Sequence, residues 1–174
     1  MRGDLYSQDQ FIGVYPVDKL PKGKVEQRPF CCIINSAPSS NQGEHWLAIY
    51  VDDTDRGEFF DSYGHAAEFY DQRLESFLTK NCYEHLHNPR ELQSLWSENC
   101  GEFCLYWLLH RCRKIPTSKI IKQFSTNKLI NDHLVKSFIH KRFPWIFKIY
   151  ENTFTRMLHN REQCSHSRYR RRTR

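Results

Sequence analysis

Three stretches rich in β-branched and aromatic residues follow one another between residues 29 and 64, and from residue 69 on the apolar positions recur at helical spacing instead. PFCCIIN (29–35) is apolar throughout, as a strand in the middle of a sheet is. SAPSSNQGE (36–44) gathers proline, glycine, asparagine and serines into a loop. HWLAIYVD (45–52) reads as the next strand, DDTDRG as a turn, and GEFFDSYG (57–64) as a third strand ending at Gly64. Together they predict an antiparallel meander. Upstream, FIGVYPVDKLP reads as an extended segment packed on the body, and Met1 to Gln10 as a polar, frayed entry. Downstream, Phe69, Tyr70, Leu74, Phe77 and Leu78 share one helical face. HLHNPRELQS, with its proline, reads as a loop. A deeply buried helix then starts at Cys100, with Phe103, Cys104, Trp107 and Leu108 on one face and Pro116 as its stop. PTSKIIKQF and TNKLINDHLVKSFIHKRF give two more amphipathic helices, the second ended by Pro144. Strands first and helices after predict an α+β fold with a central, mostly antiparallel sheet flanked by helices.

A chain of 174 residues fits one domain with a tail. The expected division is a folded domain over 1–150 and a basic, flexible tail over 151–174. That tail holds seven arginines against two acids, a net +5 of the chain's +6. No run of 18 apolar residues exists, which argues against a membrane span. The N-terminus shows no apolar secretory segment, so the expected compartment is intracellular and reducing. Seven cysteines, an odd number, argue against a disulfide framework there. No C-x-x-C pair exists, and Cys100, Cys104, His110 and Cys112 lack zinc-ligand spacing, so no metal is expected.

One cysteine stands apart. Cys100 lies where the polar SENC loop meets the most hydrophobic helix, facing the free N–H groups and positive end of that helix. Both favour a thiolate, the nucleophilic form. Gly101 leaves room for a substrate backbone. A nucleophilic cysteine needs a base, and the base an orienting group. His45 heads a strand after a glycine-containing loop, and Asp61 ends the neighbouring strand of the same hairpin, which brings the two to one end of the sheet. The carboxylate there can fix the imidazole tautomer while the other ring nitrogen faces Cys100. The backbone N–H of Cys100 and the side-chain amide of Gln93, on the approach loop, can serve as oxyanion donors.

GVYPVDKLP, FCCIINSAPSSNQGEHWLAIYVD, GEFFDSYG and LQSLWSENCGEFCLYWLLHR resemble the adenovirus-type (adenain-like) cysteine proteases, closest to those of Polinton/Maverick transposons and adintovirus-like elements. The likeness spans roughly residues 11–113, in the family's order of His, acid, Gln, Cys. It implies a papain-like α+β fold with His45 as base, Asp61 as acid, Cys100 as nucleophile and Gln93 as oxyanion donor. Asp61 stands where the viral enzymes carry Glu. The resemblance further implies a cysteine endopeptidase that processes precursor proteins of a virus or virus-like transposon, in the nucleus or a virion. No cofactor is required by the sequence, but the resemblance brings activation by DNA or a short peptide, with Cys82 as the candidate peptide or redox site. Arg168, Arg170, Arg171, Arg172 and Arg174 are the candidate phosphate contacts for DNA. Two rivals share these features: a SUMO- or ubiquitin-like-protein-specific protease with the same mechanism, and a catalytically inactive transposon-derived DNA-binding protein.

Overall fold

The structure, a computed structural model, describes residue 1 and residues 3–144. One compact unit runs from Met1 to Lys136, and a second begins at Ser137. The first holds five strands, β1 (Phe11–Pro16), β2 (Phe30–Asn35), β3 (Trp46–Val51), β4 (Arg56–Phe60) and β5 (Glu84–His87), in one sheet of order β1-β2-β3-β4-β5. Its helices are α1 (Gln72–Asn81), α2 (Cys100–Arg111) and α3 (Thr117–Ile121), and α4 (Lys128–Arg142) starts within it.

The predicted meander is the middle of this sheet. β2 and β3 pair antiparallel from Phe30 opposite Val51 to Asn35 opposite Trp46, and β3 and β4 from Ala48 opposite Phe60 to Val51 opposite Gly57. The outer pairings are both parallel, β1 with β2 and β4 with β5. The sheet is therefore mixed rather than mostly antiparallel. Two edge strands account for the difference. FIGVYP joins the sheet as β1 instead of packing on it. EHLH forms β5 where a loop was expected, because an exposed edge strand of four residues carries no apolar alternation to read.

Side chains alternate across the sheet, and each face has its own helix. Phe30, Cys32 and Ile34 of β2, Leu47, Ile49 and Val51 of β3, and Phe59 of β4 form one buried cluster with Leu74, Phe77 and Leu78 of α1. Asp71 caps α1 by accepting from the N–H of Arg73 (2.7 Å). On the other face α2 packs across β3. There Trp107 stacks on Phe60 (centroids 5.0 Å apart), and Arg111 lies over Tyr50 while paired with Glu58 (2.8 Å). The apolar strands are thus covered on both sides, which is why β2 and β3 read as unbroken hydrophobic runs.

Residues 3–10 are folded, not frayed. Asp4 and Ser7 are fully buried. Asp4 accepts from the N–H groups of Tyr6 and Ser7 (3.2 Å each) and pairs with Arg113 beyond α2 (2.5 Å). Gln10 donates to the Cys112 carbonyl (3.2 Å). The segment is polar in composition because its hydrogen bonds are its structure. Asp4→Ala should therefore cost roughly 2–3 kcal/mol, since it strips partners from buried N–H groups and from Arg113. Urea unfolding measures this, and a loss below about 0.5 kcal/mol would be the behaviour of a frayed end.

Candidate active site

His45 directly precedes β3 and Asp61 directly follows β4, so the hairpin register leaves both at one end of the sheet. The Ser36 N–H donates to the His45 carbonyl (2.9 Å), which ties the residue to the end of β2. His45 Nε2 donates to Asp61 Oδ1 at 2.7 Å. The imidazole is 11% exposed and stacks on the rings of Tyr63 and Tyr70 (centroids 5.0 and 5.7 Å away).

Asp61 is fully buried, and its surroundings are built to keep it charged. The chain turns sharply after it, with the Gly64 N–H donating to the Asp61 carbonyl (3.0 Å). Gly64 takes a φ of +83°, and a Cβ there would meet the backbone of Arg90 at 2.9 Å, so only glycine fits. The turn folds the N–H groups of Tyr63 (3.0 Å) and His65 (2.9 Å) back onto the carboxylate. The Tyr70 hydroxyl donates to Oδ2 (2.8 Å), and His65 Nδ1 approaches it at 3.1 Å. Burial alone would raise the Asp61 pKa, but the bonds from His45, Tyr63, His65 and Tyr70 together hold it below the usual carboxylate value. The backbone of Asp61 is braced as well. Asn88 Oδ1 accepts from its N–H (3.0 Å) and Asn88 Nδ2 donates to its carbonyl (2.8 Å), so a side chain extends the β4–β5 pairing by one step.

Cys100 is the first residue of α2 and is 8% exposed. No side chain caps this helix, so the N–H groups of its first turn are left to the cleft. The thiol shares the cleft with His45 and lies near enough to raise the pKa of the imidazole. Nε2 is committed to Asp61, which leaves Nδ1 for any proton exchange with it. Trp46 keys the helix to the strand. The Cys104 thiol donates to its carbonyl (3.2 Å), and its indole lies 3.5 Å from where a Cβ on Gly101 would stand. Gly101 therefore faces Trp46, and an alanine there would meet ordinary contact.

Gln93 is 1% exposed and is held at both ends of its amide. The Ser62 hydroxyl donates to its Oε1 (2.6 Å), and its Nε2 donates to the Ser97 carbonyl (2.6 Å). The Ser97 carbonyl can only accept, so it fixes which end of the amide is the donor, and the second amide proton remains available. A cleft of about 490 Å³ is lined by His45, Gln93 and Cys100 together with Trp46, Tyr63 and Phe69. Of the four residues that the sequence singled out for chemistry, His45, Gln93 and Cys100 line this cleft, and Asp61 lies buried behind His45.

Cys82 does not join them. It lies in the hydrophobic cluster at the end of α1, 8% exposed, and burial pushes its thiol up to about 11. Cys31, Cys32, Cys104 and Cys112 are buried too, and burial raises Cys32 and Cys104. No group of metal-ligating side chains occurs among the described residues. No helix there is long and apolar enough to cross a membrane. Arg168, Arg170, Arg171, Arg172 and Arg174, and with them the DNA-contact expectation, lie outside the described residues.

Residues 11–167 match the family model of the adenovirus endoprotease. The chain belongs to that family of cysteine peptidases. The protease of porcine adenovirus A serotype 3 is 30% identical over 113 residues, covering 57% of this chain and 54% of the relative. The SUMO-1 cysteine protease of African swine fever virus is 38% identical over 69 residues, 35% of this chain and 25% of that one. The chain spans about half or less of the length of these curated relatives. Among solved structures, the crystal structure of the African swine fever virus protease superposes with a TM-score of 0.42 at 24% identity, over 62% of this chain and 43% of its own.

Several residues of this family site escaped the sequence reading. Tyr70 was expected as an apolar helix position and is instead a donor to Asp61. Asn88 sat in an expected loop, although Pro89 after it favours an extended backbone and so a continued strand. Ser62 fell within the expected third strand, with no role given to its hydroxyl.

The His45 imidazole carries opposing effects. Burial disfavours its charge, but the bonds to Asp61 and Cys100 outweigh burial and push it up to about 9 from 6.5. Its folded value exceeds its unfolded one, so the stability it contributes is full below pH 6.5 and is lost as pH rises through 9. An NMR titration of the His45 ring should show a midpoint near 9, falling toward or below 6.5 in Asp61→Asn. A wild-type midpoint at or below 6.5 would mean that burial dominates.

Proposed function

We propose that the chain is a cysteine endopeptidase in which Cys100 is the nucleophile, His45 the general base and acid, Asp61 the orienting carboxylate and Gln93 an oxyanion donor. The observation that carries this reading is the shared cleft. An imidazole bonded to a buried, multiply donated carboxylate faces a thiol at a bare helix N-terminus, with a fixed amide beside them.

The chemistry follows from those positions. With its pKa at about 9, His45 already holds the proton given up by Cys100, and the thiolate attacks the scissile carbonyl carbon to form a C–S bond. The carbonyl π electrons move to oxygen, which accepts from the Cys100 N–H and from Gln93 Nε2. The oxyanion collapses, the C–N bond breaks, and His45 returns the proton to the leaving amine. Water then loses a proton to His45 and adds to the thioester carbon; the C–S bond breaks, the acid product leaves, and Cys100 is released as thiolate beside the proton-bearing His45. Asp61 keeps Nε2 protonated throughout, so Nδ1 stays the nitrogen that exchanges protons.

For substrate, the reading is processing of precursor proteins of a virus or virus-like transposon. It is supported by the longer match, to an adenovirus protease. Cleavage of ubiquitin-like proteins is the second reading, supported by the shorter match to a SUMO-1 cysteine protease. Activation by DNA is carried only by family resemblance and the arginine count of the tail. The burial of Cys82 speaks against a freely exchanging thiol there.

Hydrolysis of fluorescein-labelled casein and of 4-nitrophenyl acetate tests the assignment. Cys100→Ala should abolish both while leaving the unfolding midpoint in place. Asp61→Asn should cost about 10²–10⁴ in kcat, because the imidazole loses its fixed tautomer. Gln93→Ala should cost about 10²–10³ in kcat with a smaller change in KM. Turnover retained in Cys100→Ala would remove the assignment.

A further inference from the structure

Gln93 sits on a stretch, Leu92–Ser97, that has neither helix nor strand to hold it. The N–H groups of Leu92 (2.8 Å) and Gln93 (3.1 Å) tie it to the Ser62 carbonyl, and two consecutive residues of α4 add further support. Asn131 Nδ2 donates to the Leu92 carbonyl (3.0 Å), on one side of Gln93. On the other side, Asp132 Oδ1 accepts from the Ser97 hydroxyl (2.9 Å) and from the Ser94 N–H (3.5 Å). Asn131 is itself fixed, accepting from the Ser125 N–H (2.7 Å) and donating to the Ser125 carbonyl (3.0 Å). Both residues are buried, 1% and 8% exposed.

The contacts form a chain that ends at the site. Asp132 holds the Ser97 hydroxyl, and the Ser97 carbonyl accepts from Gln93 Nε2 at 2.6 Å. Ser62 fixes the opposite end of that amide. The cluster is also an expensive one to bury. Asp132 Oδ2 and Ser94 Oγ are shielded from solvent with no protein partner among the described residues. A carboxylate so placed adds less stability than an apolar side chain would, which points to positioning as its role.

We infer that Asp132, backed by Asn131, is a positioning residue that orients the Gln93 amide through Ser97. The inference rests on the reading of Gln93 as oxyanion donor. It extends the working site to α4, beyond the His45, Asp61, Gln93 and Cys100 motifs.

The test is steady-state hydrolysis of 4-nitrophenyl acetate by the full chain, in wild type, Asp132→Ala, Asp132→Asn, Gln93→Ala and the Asp132→Ala/Gln93→Ala double variant. Asp132→Ala should lower kcat about tenfold or more with KM within about twofold, the pattern of a lost transition-state contact. Asp132→Asn keeps Oδ1 as an acceptor and should restore most of the rate. In the Gln93→Ala background, Asp132→Ala should change kcat by less than about twofold, because the two act as one unit. An unchanged kcat in Asp132→Ala, or an equal fall in both backgrounds, would overturn the inference. Ser97→Ala, which removes the hydroxyl and keeps the carbonyl, stands in if Asp132→Ala does not fold.

The side-chain amide resonances of Gln93 give a readout independent of turnover. They should be well dispersed in wild type and collapse toward free-glutamine positions in Asp132→Ala; resonances that do not move would also overturn the inference. A wild-type chain without turnover whose Gln93 amide still moves in Asp132→Ala would refute the enzymatic reading and support the positioning role.

Discussion

Whether Cys100 meets His45 depends on how one face of α2 is seated on the sheet. Residues 100, 104, 107 and 111 follow one another at helical spacing along that face. Trp107 stacks on Phe60, Cys104 bonds to the Trp46 carbonyl, and Arg111 reaches Glu58, where Thr117 also donates. Magnitudes separate their roles. A fully buried tryptophan contributes about 3–5 kcal/mol against truncation, whereas a buried ion pair comes close to break-even once desolvation is counted. The apolar contacts therefore hold the helix down, and the polar ones set where along the sheet it stops. A helix turn of displacement is about 5.4 Å, which would carry the thiol out of reach of the imidazole.

Asp61 is the electrostatic counterpart of that docking. A buried carboxylate stays ionised only if donors replace its lost water. The turn closed by Gly64, the hydroxyl of Tyr70 and the two histidine rings supply them. The charge so maintained holds a proton on His45 and fixes its tautomer. Tyr63 and Tyr70 narrow the ring's freedom further by stacking on it. The order of construction is strand register first, then a turn that wraps Asp61, then the helix that brings Cys100 to the cleft.

How much of this was legible varies with how local the signal is. The central hairpin and α2 were readable because their residues sit in continuous apolar runs or on one helical stripe. His45, Asp61 and Cys100 were readable because each falls at an element end, where a strand or helix fixes the position of the side chain. β5 was not, since EHLH is exposed and its pairing with β4 is parallel and non-local. The N-terminal turn was not, because a buried polar segment has the composition of a loose one. The contacts of Asn88, Ser62, Asn131 and Asp132 join residues from 27 to 39 positions apart through one or two hydrogen bonds each, which no periodicity announces.

The most direct test of the account is the reactivity of the Cys100 sulfur. Iodoacetamide alkylation at neutral pH, followed by peptide mass mapping, compares Cys100 with the other cysteines in wild type and in His45→Ala. Rapid alkylation confined to Cys100, and slowed in His45→Ala to the rate of an ordinary thiol, is the expected result for a paired nucleophile. Alkylation of Cys100 at the same slow rate in both proteins would contradict it, because the imidazole would then not be acting on the thiol at all.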